Sequence, residues 1–152
     1  MSWTIEARSW DDPAGAALRS AQRAELDARY GTGDHEPGSP PSTADIALFL
    51  VAVDAGTAIG CGALRRLGPA SCEIKRMYVV PERRGSGVAA GLLRALEGAA
   101  RSRGWTTVRL ETGTAQPDAM RFYEREGYRK IPLFGPYAGS SLSVCYERVL
   151  AG

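Results

Sequence analysis

One short segment organises the chain: Met77-Tyr78-Val79-Val80-Pro81-Glu82-Arg83-Arg84-Gly85-Ser86-Gly87-Val88-Ala89. It predicts a buried strand, a charged bend, a glycine loop and the first turn of a helix. Gly85 and Gly87 lack a Cβ, so a ligand can approach their backbone N–H groups closely. These groups lie where a helix begins, without intrahelical acceptors and at the positive end of its dipole. The loop is therefore a candidate phosphate site, and Arg83 and Arg84 add positive charge beside it.

Three interpretations fit this loop. In the first, the glycines only tighten a strand-to-helix turn of an α/β domain. In the second, Gly85-x-Gly87-x-x-Ala90 is a dinucleotide-binding turn, with Glu111 after the next strand as its acidic partner. Such a turn should follow its strand directly, whereas residues 81–84 intervene here. In the third, Arg84-x-x-Gly87-x-Ala89 fits the pattern [Q/R]-x-x-G-x-[G/A] of a loop that binds the pyrophosphate of coenzyme A.

A second segment favours the third interpretation. Residues 116–128 read Gln-Pro-Asp-Ala-Met-Arg-Phe-Tyr-Glu-Arg-Glu-Gly-Tyr. Together the two segments resemble the GNAT N-acetyltransferase superfamily, whose second pattern is N-x-x-A-x-x-F/L-Y-x-x-x-G-F/Y. Gln116 departs from the pattern by replacing Asn, but it keeps the amide. The resemblance covers about residues 45–130, and the matching positions of the second pattern are Ala119, Phe122, Tyr123, Gly127 and Tyr128.

Hydrophobic periodicity and turn residues predict the elements of a mixed sheet with flanking helices. The crossover from residues 72–80 through a helix to residues 106–112 makes these two strands parallel. The resemblance implies an α/β (α+β) fold with a mixed, mostly antiparallel sheet, a splayed parallel strand pair, and one domain over residues 1–152. Strands are expected at residues 3–7, 46–53, 58–67, 72–80, 106–112, 128–132 and 141–150, and helices at about 13–30, 88–104 and 116–126.

The resemblance implies an enzyme of bacterial type that transfers acetyl from acetyl-CoA directly to a primary amine, with no metal and no covalent enzyme intermediate. Tyr123 occupies the family's usual acid position. The base is left open between Glu111, Glu73 and a chain of water molecules. Strand alternation places Glu73 on one face together with Lys75, Met77 and Val79. Cys145 is a nucleophile only in a minority interpretation, because no paired histidine is available.

Two sets of ligand-binding residues are expected, one from placement in the chain and one from the resemblance. Tyr30, Arg76, Tyr78 and Tyr137 are candidates to line the acceptor pocket, from their placement alone. The residues expected to contact coenzyme A are Met77, Tyr78, Val79, Arg84, Gly85, Ser86, Gly87, Val88, Ala89 and Gln116. The expected acceptor is a small-molecule amine. The alternatives are a protein lysine or N-terminus, or a non-catalytic acyl-CoA sensor on the same scaffold.

Composition limits the function classes. The chain has 152 residues, 44% of them apolar, and a net charge of +2, so no basic surface of the size that nucleic-acid binding requires is expected. Neither a signal peptide nor a membrane-spanning run is seen, and the three cysteines lack metal-ligand spacing, which indicates reduced thiols in a cytoplasmic protein. A homodimer is expected. Residues 31–43 predict a long loop, either a pocket lid or disordered, in which the single histidine, His35, is expected to be solvated.

Overall fold

The computed structural model describes residues 2–150. Short 3-10 turns occupy Pro81–Arg83 and Gly135–Tyr137. None of the helices in this range is both long and apolar enough to cross a bilayer. The remaining elements are β1 (Trp3–Ala7), α1 (Pro13–Tyr30), β2 (Ile46–Asp54), β3 (Thr57–Arg66), β4 (Ser71–Val79), α2 (Val88–Ser102), β5 (Thr107–Gly113), α3 (Pro117–Arg125), β6 (Arg129–Ile131) and β7 (Ser143–Val149).

The strands form one seven-stranded sheet in the order β1-β2-β3-β4-β5-β7-β6. β4 and β5 are parallel, as the crossover predicts, and the other neighbouring pairs are antiparallel. The predicted mixed, mostly antiparallel sheet is confirmed. The pairing of β4 with β5 runs from Ser71 and Thr107 to Ile74 and Leu110. The strands therefore part towards their carboxyl ends, which opens the sheet at its centre.

Local sequence accounts for where the helices begin and end. The Asp12 side chain caps α1 by accepting a hydrogen bond from the Gly15 N–H at 2.9 Å, and Pro13 occupies the first turn. Gly31 ends α1 in the left-handed region at φ 72°. Gly87 takes φ 92° at the start of α2, a conformation that a residue with a Cβ rarely adopts.

Helices pack on both faces of the sheet. The core on one face joins α2 to the sheet through fully buried leucines and valines, including Leu92, Leu96 and Val108. The core on the other face joins Leu18 of α1 to Phe49 and its neighbours. The three cysteines are free thiols buried in the molecule: Cys61, Cys72 and Cys145.

A bulge interrupts β4. Lys75 pairs with Ala63 and Tyr78 with Cys61, so β4 contains one residue more than β3 over this stretch. Arg76 takes the left-handed φ of 59° there. After the bulge Met77 and Val79 pack on the same side as Cys72 and Ile74, in the core beneath α2. The expectation that Glu73 and Lys75 share a face with Met77 and Val79 is therefore wrong, because the extra residue reverses the alternation.

The loop after α1 is held against the helix. His35 is 7% exposed, its ring stacks on Tyr30 at a centroid distance of 5.0 Å, and its Nε2 lies 2.8 Å from Asp27 Oδ1. The expectation that His35 is solvated is wrong. Both partners lie in the last turn of α1, and only the path of the folded loop brings His35 back to them.

Candidate active site

Two cavities meet where β4 and β5 part. A groove of about 450 Å³ runs along β4, the glycine loop and α3. A smaller pocket of about 100 Å³ lies among α1, the loop that carries His35 and Glu36, and the carboxyl ends of β4 and β5. Molecules bound in the two cavities would meet at their common wall. That wall is formed by Gln22, Met77, Gln116, Ala119 and Tyr123.

The glycine loop forms one end of the groove. The backbone N–H groups of residues 85–90 have no acceptor in the described part of the chain, and α2 begins among them. Gly85 and Gly87 take φ of 77° and 92°, and a Cβ on either would meet no atom within 4 Å. The loop is therefore an open cradle of donors at a helix N-terminus, which suits an anionic group such as pyrophosphate.

Carboxylates already pair with the two arginines of the loop. Arg83 Nη2 lies 2.6 Å from Asp54 Oδ2. Arg84 Nη2 lies 2.8 Å from Glu25 Oε1 of α1, and its Nε donates to the Val79 carbonyl at 2.9 Å. The positive charge expected from these side chains is thus partly compensated, whereas the backbone N–H groups of residues 85–90 have no partner in the described part of the chain.

Glu111 lies on β5 just beyond its pairing with β4, and it lines the smaller pocket. The Ser143 hydroxyl donates a hydrogen bond to its Oε2 at 2.7 Å. Burial raises the pKa of Glu111 to about 7, against the lowering effect of Ser143, and the negative charge of Glu36 adds to the rise. A carboxyl with a pKa near neutrality is well matched to accepting a proton at physiological pH.

Tyr123 of α3 forms part of the wall between the cavities. It is 7% exposed, and its ring packs edge-on against Phe122 and Tyr128. Burial raises the pKa of its hydroxyl above the usual value, so the group keeps its proton at neutral pH. The hydroxyl makes no hydrogen bond to any residue between 2 and 150. It is therefore a free proton donor at the junction.

Glu73 and Tyr137 lie in a buried network behind the smaller pocket. The Tyr137 hydroxyl donates to Glu73 Oε2 at 2.5 Å and accepts from Lys75 Nζ at 2.9 Å. Arg65 Nη2 donates to the other Glu73 oxygen at 2.9 Å. Among the described residues, the walls of the two cavities include neither Glu73 nor Tyr137. Both oxygens of Glu73 are thus engaged, whereas Glu111 lines the smaller pocket.

Tyr30 and Arg76 do line the smaller pocket. The Tyr30 hydroxyl accepts a hydrogen bond from the Ala115 N–H at 3.3 Å, which joins the end of α1 to the segment after β5. Arg76 Nη1 lies 3.0 Å from Glu36 Oε1. Tyr78, the remaining acceptor candidate, lines the groove instead.

Three further residues of these cavities were not singled out from sequence. Gln22 donates from Nε2 to the Met77 carbonyl at 2.8 Å, and its buried Oε1 has no partner within residues 2–150. A polar residue on the apolar face of α1 is the signal that could have identified it. Lys75 and Glu36 form an ion pair of 2.6 Å, and no local pattern connects residues so far apart in sequence.

The fold agrees with the comparisons to known proteins. Residues 15–128 match the model of the Acetyltransferase (GNAT) family. The chain is 38% identical over 103 residues to an IAA acetyltransferase of Azospirillum brasilense, with 67% of each protein covered. A solved structure assigned as an acyl-CoA N-acyltransferase, from Klebsiella pneumoniae, superposes with a TM-score of 0.82 at 36% identity over 98% of both chains.

A more distant structure shares the fold alone. It is a GNAT acetyltransferase of Elizabethkingia anophelis with acetyl-CoA bound, and it superposes with a TM-score of 0.72 at 16% identity over 98% of this chain and 99% of its own. The family match spans most of the chain, including the glycine loop and α3. The chain therefore belongs to the GNAT family of acetyltransferases and is an acyltransferase.

Proposed function

We propose that the protein transfers an acetyl group from acetyl-CoA directly to the primary amine of a small molecule. Acetyl-CoA supplies the acetyl group in activated form, as a thioester. The observation that carries the proposal is the meeting of the two cavities at Tyr123, with the anion cradle in one and Glu111 in the other. Each substrate would enter from its own side.

The groove fits coenzyme A. The N–H groups of residues 85–90 are free to bind a pyrophosphate, and the space above Gly85 and Gly87 is open. Residues 77–79 and Gln116 line the groove between the glycine loop and the junction. By contrast, the 3-10 turn Pro81–Arg83 separates β4 from the glycines, which does not suit a dinucleotide-binding turn.

The proposed catalytic roles of Glu111 and Tyr123 follow from the protonation state of each side chain at neutral pH. Glu111 can take a proton at its carboxylate from an amine in the smaller pocket, because its pKa of about 7 lets it ionise at neutral pH. Tyr123 holds a proton at its hydroxyl oxygen and can donate it to a leaving group at the junction. Burial raises the pKa of the Cys145 thiol, and Cys145 pairs across the sheet with Glu111 inside the molecule. These features support direct transfer without a covalent enzyme intermediate.

The smaller pocket supports a small acceptor. The loop that carries His35 and Glu36 covers it, and Glu36 is tied to Lys75 at 2.6 Å. A protein lysine or N-terminus would have to displace this loop. Glu111 and Tyr123, both placed for proton transfer, speak against a non-catalytic sensor.

Calorimetric titration with acetyl-CoA, coenzyme A and NAD tests the cofactor. We expect acetyl-CoA to bind to the wild type and to Gly98→Trp but not to Gly87→Trp, and NAD not to bind. Gly98 is a matched control, since it lies on α2 with no atom within 4 Å of an added Cβ and outside the groove. Acetyl-CoA binding that is unaffected by Gly87→Trp would refute the cradle.

A turnover assay tests the acceptor class. Release of coenzyme A is measured with a library of small amines and, in parallel, with lysine-bearing and free N-terminal peptides. We expect turnover with small amines that Tyr123→Phe reduces. Turnover with peptides alone would replace the proposal by the protein-acetylating alternative, and binding without any turnover would favour a sensor.

A further inference from the structure

We infer that the acceptor is a small amine that also carries a carboxylate, and that Arg76 binds this carboxylate. The inference rests on the proposed function, because it names the substrate class of the same pocket. It assigns the two ends of the acceptor to two strands. The amine lies towards Glu111 on β5, and the carboxylate lies towards Arg76 on β4.

The backbone at Arg76 is the first observation. Arg76 is the extra residue of the β4 bulge and takes φ 59°, which is uncommon for any residue other than glycine, asparagine or aspartate. Backbone strain of this kind persists where the surrounding structure imposes it, and such positions cluster at binding sites. The bulge places Arg76 where β4 and β5 part, and Arg76 lines the smaller pocket there.

The free donors of Arg76 are the second observation. Its side chain is 13% exposed, and its contact with a carboxylate is a single approach of Nη1 to Glu36 at 3.0 Å. Nε and Nη2 have no acceptor among residues 2–150, and neither is fully buried, so both remain open to a ligand. A guanidinium with open donors is suited to bidentate binding of a carboxylate.

The charge balance of the pocket is the third observation. Lys75 and Arg76 both pair with the carboxylate of Glu36, and Lys75 Nζ also lies 3.8 Å from Glu73 Oε2. Burial raises the pKa of Glu36, but Lys75 and Arg76 outweigh it and lower the pKa overall, so Glu36 stays ionised. Glu111, which also lines the pocket, is assigned to the amine of the acceptor, and Arg76 has Glu36 as its one carboxylate partner among residues 2–150. These charges favour an acceptor that brings its own negative charge towards Arg76.

Glu36 holds the position of the acceptor carboxylate in the free protein. It lies on the loop after α1, which His35 ties to Asp27, and it forms ion pairs with Lys75 and Arg76 in the pocket. A carboxylate on the acceptor would compete with Glu36 for Arg76. The pocket of about 100 Å³ restricts such an acceptor to the size of a small amino acid.

Matched pairs of acceptors test the inference. Glycine, β-alanine and γ-aminobutyrate are each compared with the amide of the same skeleton. The two readouts are kcat/KM from coenzyme A release and calorimetric binding to the protein saturated with coenzyme A. We expect an acid to be preferred over its amide by about 10- to 100-fold, the range of one charge-assisted hydrogen bond.

Variants assign the preference to Arg76. Arg76→Asn keeps a residue that tolerates positive φ, and it should remove the preference for the acid over its amide. Glu36→Gln should lower the KM of the acid, because it removes the competing carboxylate. The control Arg101→Gln removes an exposed cation outside both cavities. It should change kcat/KM for neither the acid nor the amide.

Three results would overturn the inference. The acid and its amide could be used equally well, every acid could fail both to bind and to be acetylated, or Arg76→Asn could leave the preference for the acid unchanged. A higher KM for the acid in Glu36→Gln would do the same, since it would mean that Glu36 binds the amine. If amines without a carboxylate are acetylated and the acids are not, the proposed function stands and this inference fails. If acids bind through Arg76 but are not acetylated, the inference that they are the acceptors is wrong, and only the assignment of Arg76 as a carboxylate-binding residue is kept.

Discussion

Glu111 combines a hydrogen bond from Ser143 with burial that raises its pKa to about 7. We expect kcat/KM to rise as pH increases through about 7, because the ionised carboxylate of Glu111 is the proposed base. No falling limb is expected at neutral pH from Tyr123, whose pKa burial raises. The measurement is a pH profile of the wild type and of Glu111→Gln. The variant should lose about 10²- to 10⁴-fold in kcat, and an unchanged rate would identify another base.

The same carboxyl group lowers stability when it is ionised. Its pKa in the folded state, about 7, exceeds its ordinary value of 4.5, so the folded protein binds more protons than the unfolded chain between these values. The free energy of unfolding therefore falls as pH rises through that window. Glu111→Gln removes this penalty and keeps an acceptor for Ser143. We expect the free energy of unfolding, measured with urea, to be about 1–3 kcal/mol higher in the variant than in the wild type at about pH 8. At about pH 4 the two proteins should be similarly stable. An equal difference at both pH values would contradict the raised pKa.

Tyr123→Phe tests the proton donor without changing the packing of the ring. Because the hydroxyl makes no hydrogen bond to the described residues, we expect unchanged stability and acetyl-CoA affinity, with kcat lower by about 10²-fold or more. Tyr128→Phe is the matched control, since its hydroxyl donates to the buried Glu97 at 2.7 Å. The Tyr128→Phe variant should have a lower free energy of unfolding and an unchanged kcat. A normal kcat in Tyr123→Phe would remove Tyr123 from the mechanism.

Among the elements, the end of α1 is locked against the end of β5. A Cβ on Gly113 would overlap the Tyr30 hydroxyl, so the two elements meet only because Gly113 has no side chain. We expect Gly113→Ala to lower the free energy of unfolding by about 1–3 kcal/mol. The loss should be smaller in a Tyr30→Ala background, with a coupling of about 1 kcal/mol or more in a double-mutant cycle.

Gly98→Ala provides the control for this cycle. Gly98 lies on α2 with no atom within 4 Å of an added Cβ, and alanine is the better helix former. It should be neutral or stabilising, and it should be additive with Tyr30→Ala. Additivity of Gly113→Ala with Tyr30→Ala would mean that α1 and β5 do not meet as the structure shows.

The elements also show where sequence patterns succeed. Asp12 caps α1, and a turn with Gly56 at φ 81° joins β2 to β3. These features depend on residues that are neighbours in the chain. The bulge at Arg76 was missed because its cause is the register of β4 against β3, which is a property of the pair.

At the scale of the whole molecule, the groove draws its walls from α1, β4, the glycine loop and α3. A ligand that binds these walls together should stabilise the entire fold, since it binds the folded state alone. At about 100 times its Kd, acetyl-CoA should add about 2.7 kcal/mol. For a chain of this length, that amounts to a rise in Tm of about 5–10 °C in differential scanning calorimetry.

The controls for this thermal shift separate binding from general effects of the ligand. NAD should leave Tm unchanged, and acetyl-CoA should fail to raise the Tm of Gly87→Trp while raising that of Gly98→Trp. Equal shifts in both tryptophan variants would place the ligand outside the glycine loop.

The sequence by itself determined the family, the mixed sheet and the glycine loop at the start of α2. In each case the information is local: a glycine imposes its own backbone conformation, and free N–H groups belong to the first turn of a helix. Tertiary structure alone decided which side chains face the cavities. It paired Arg84 with Glu25, enclosed Glu73 with Tyr137, and brought Glu36 to Lys75. These partners lie 59, 64 and 39 residues apart, and only the folded chain brings such distant groups together, so their burial and charge state could not be derived from the sequence around them.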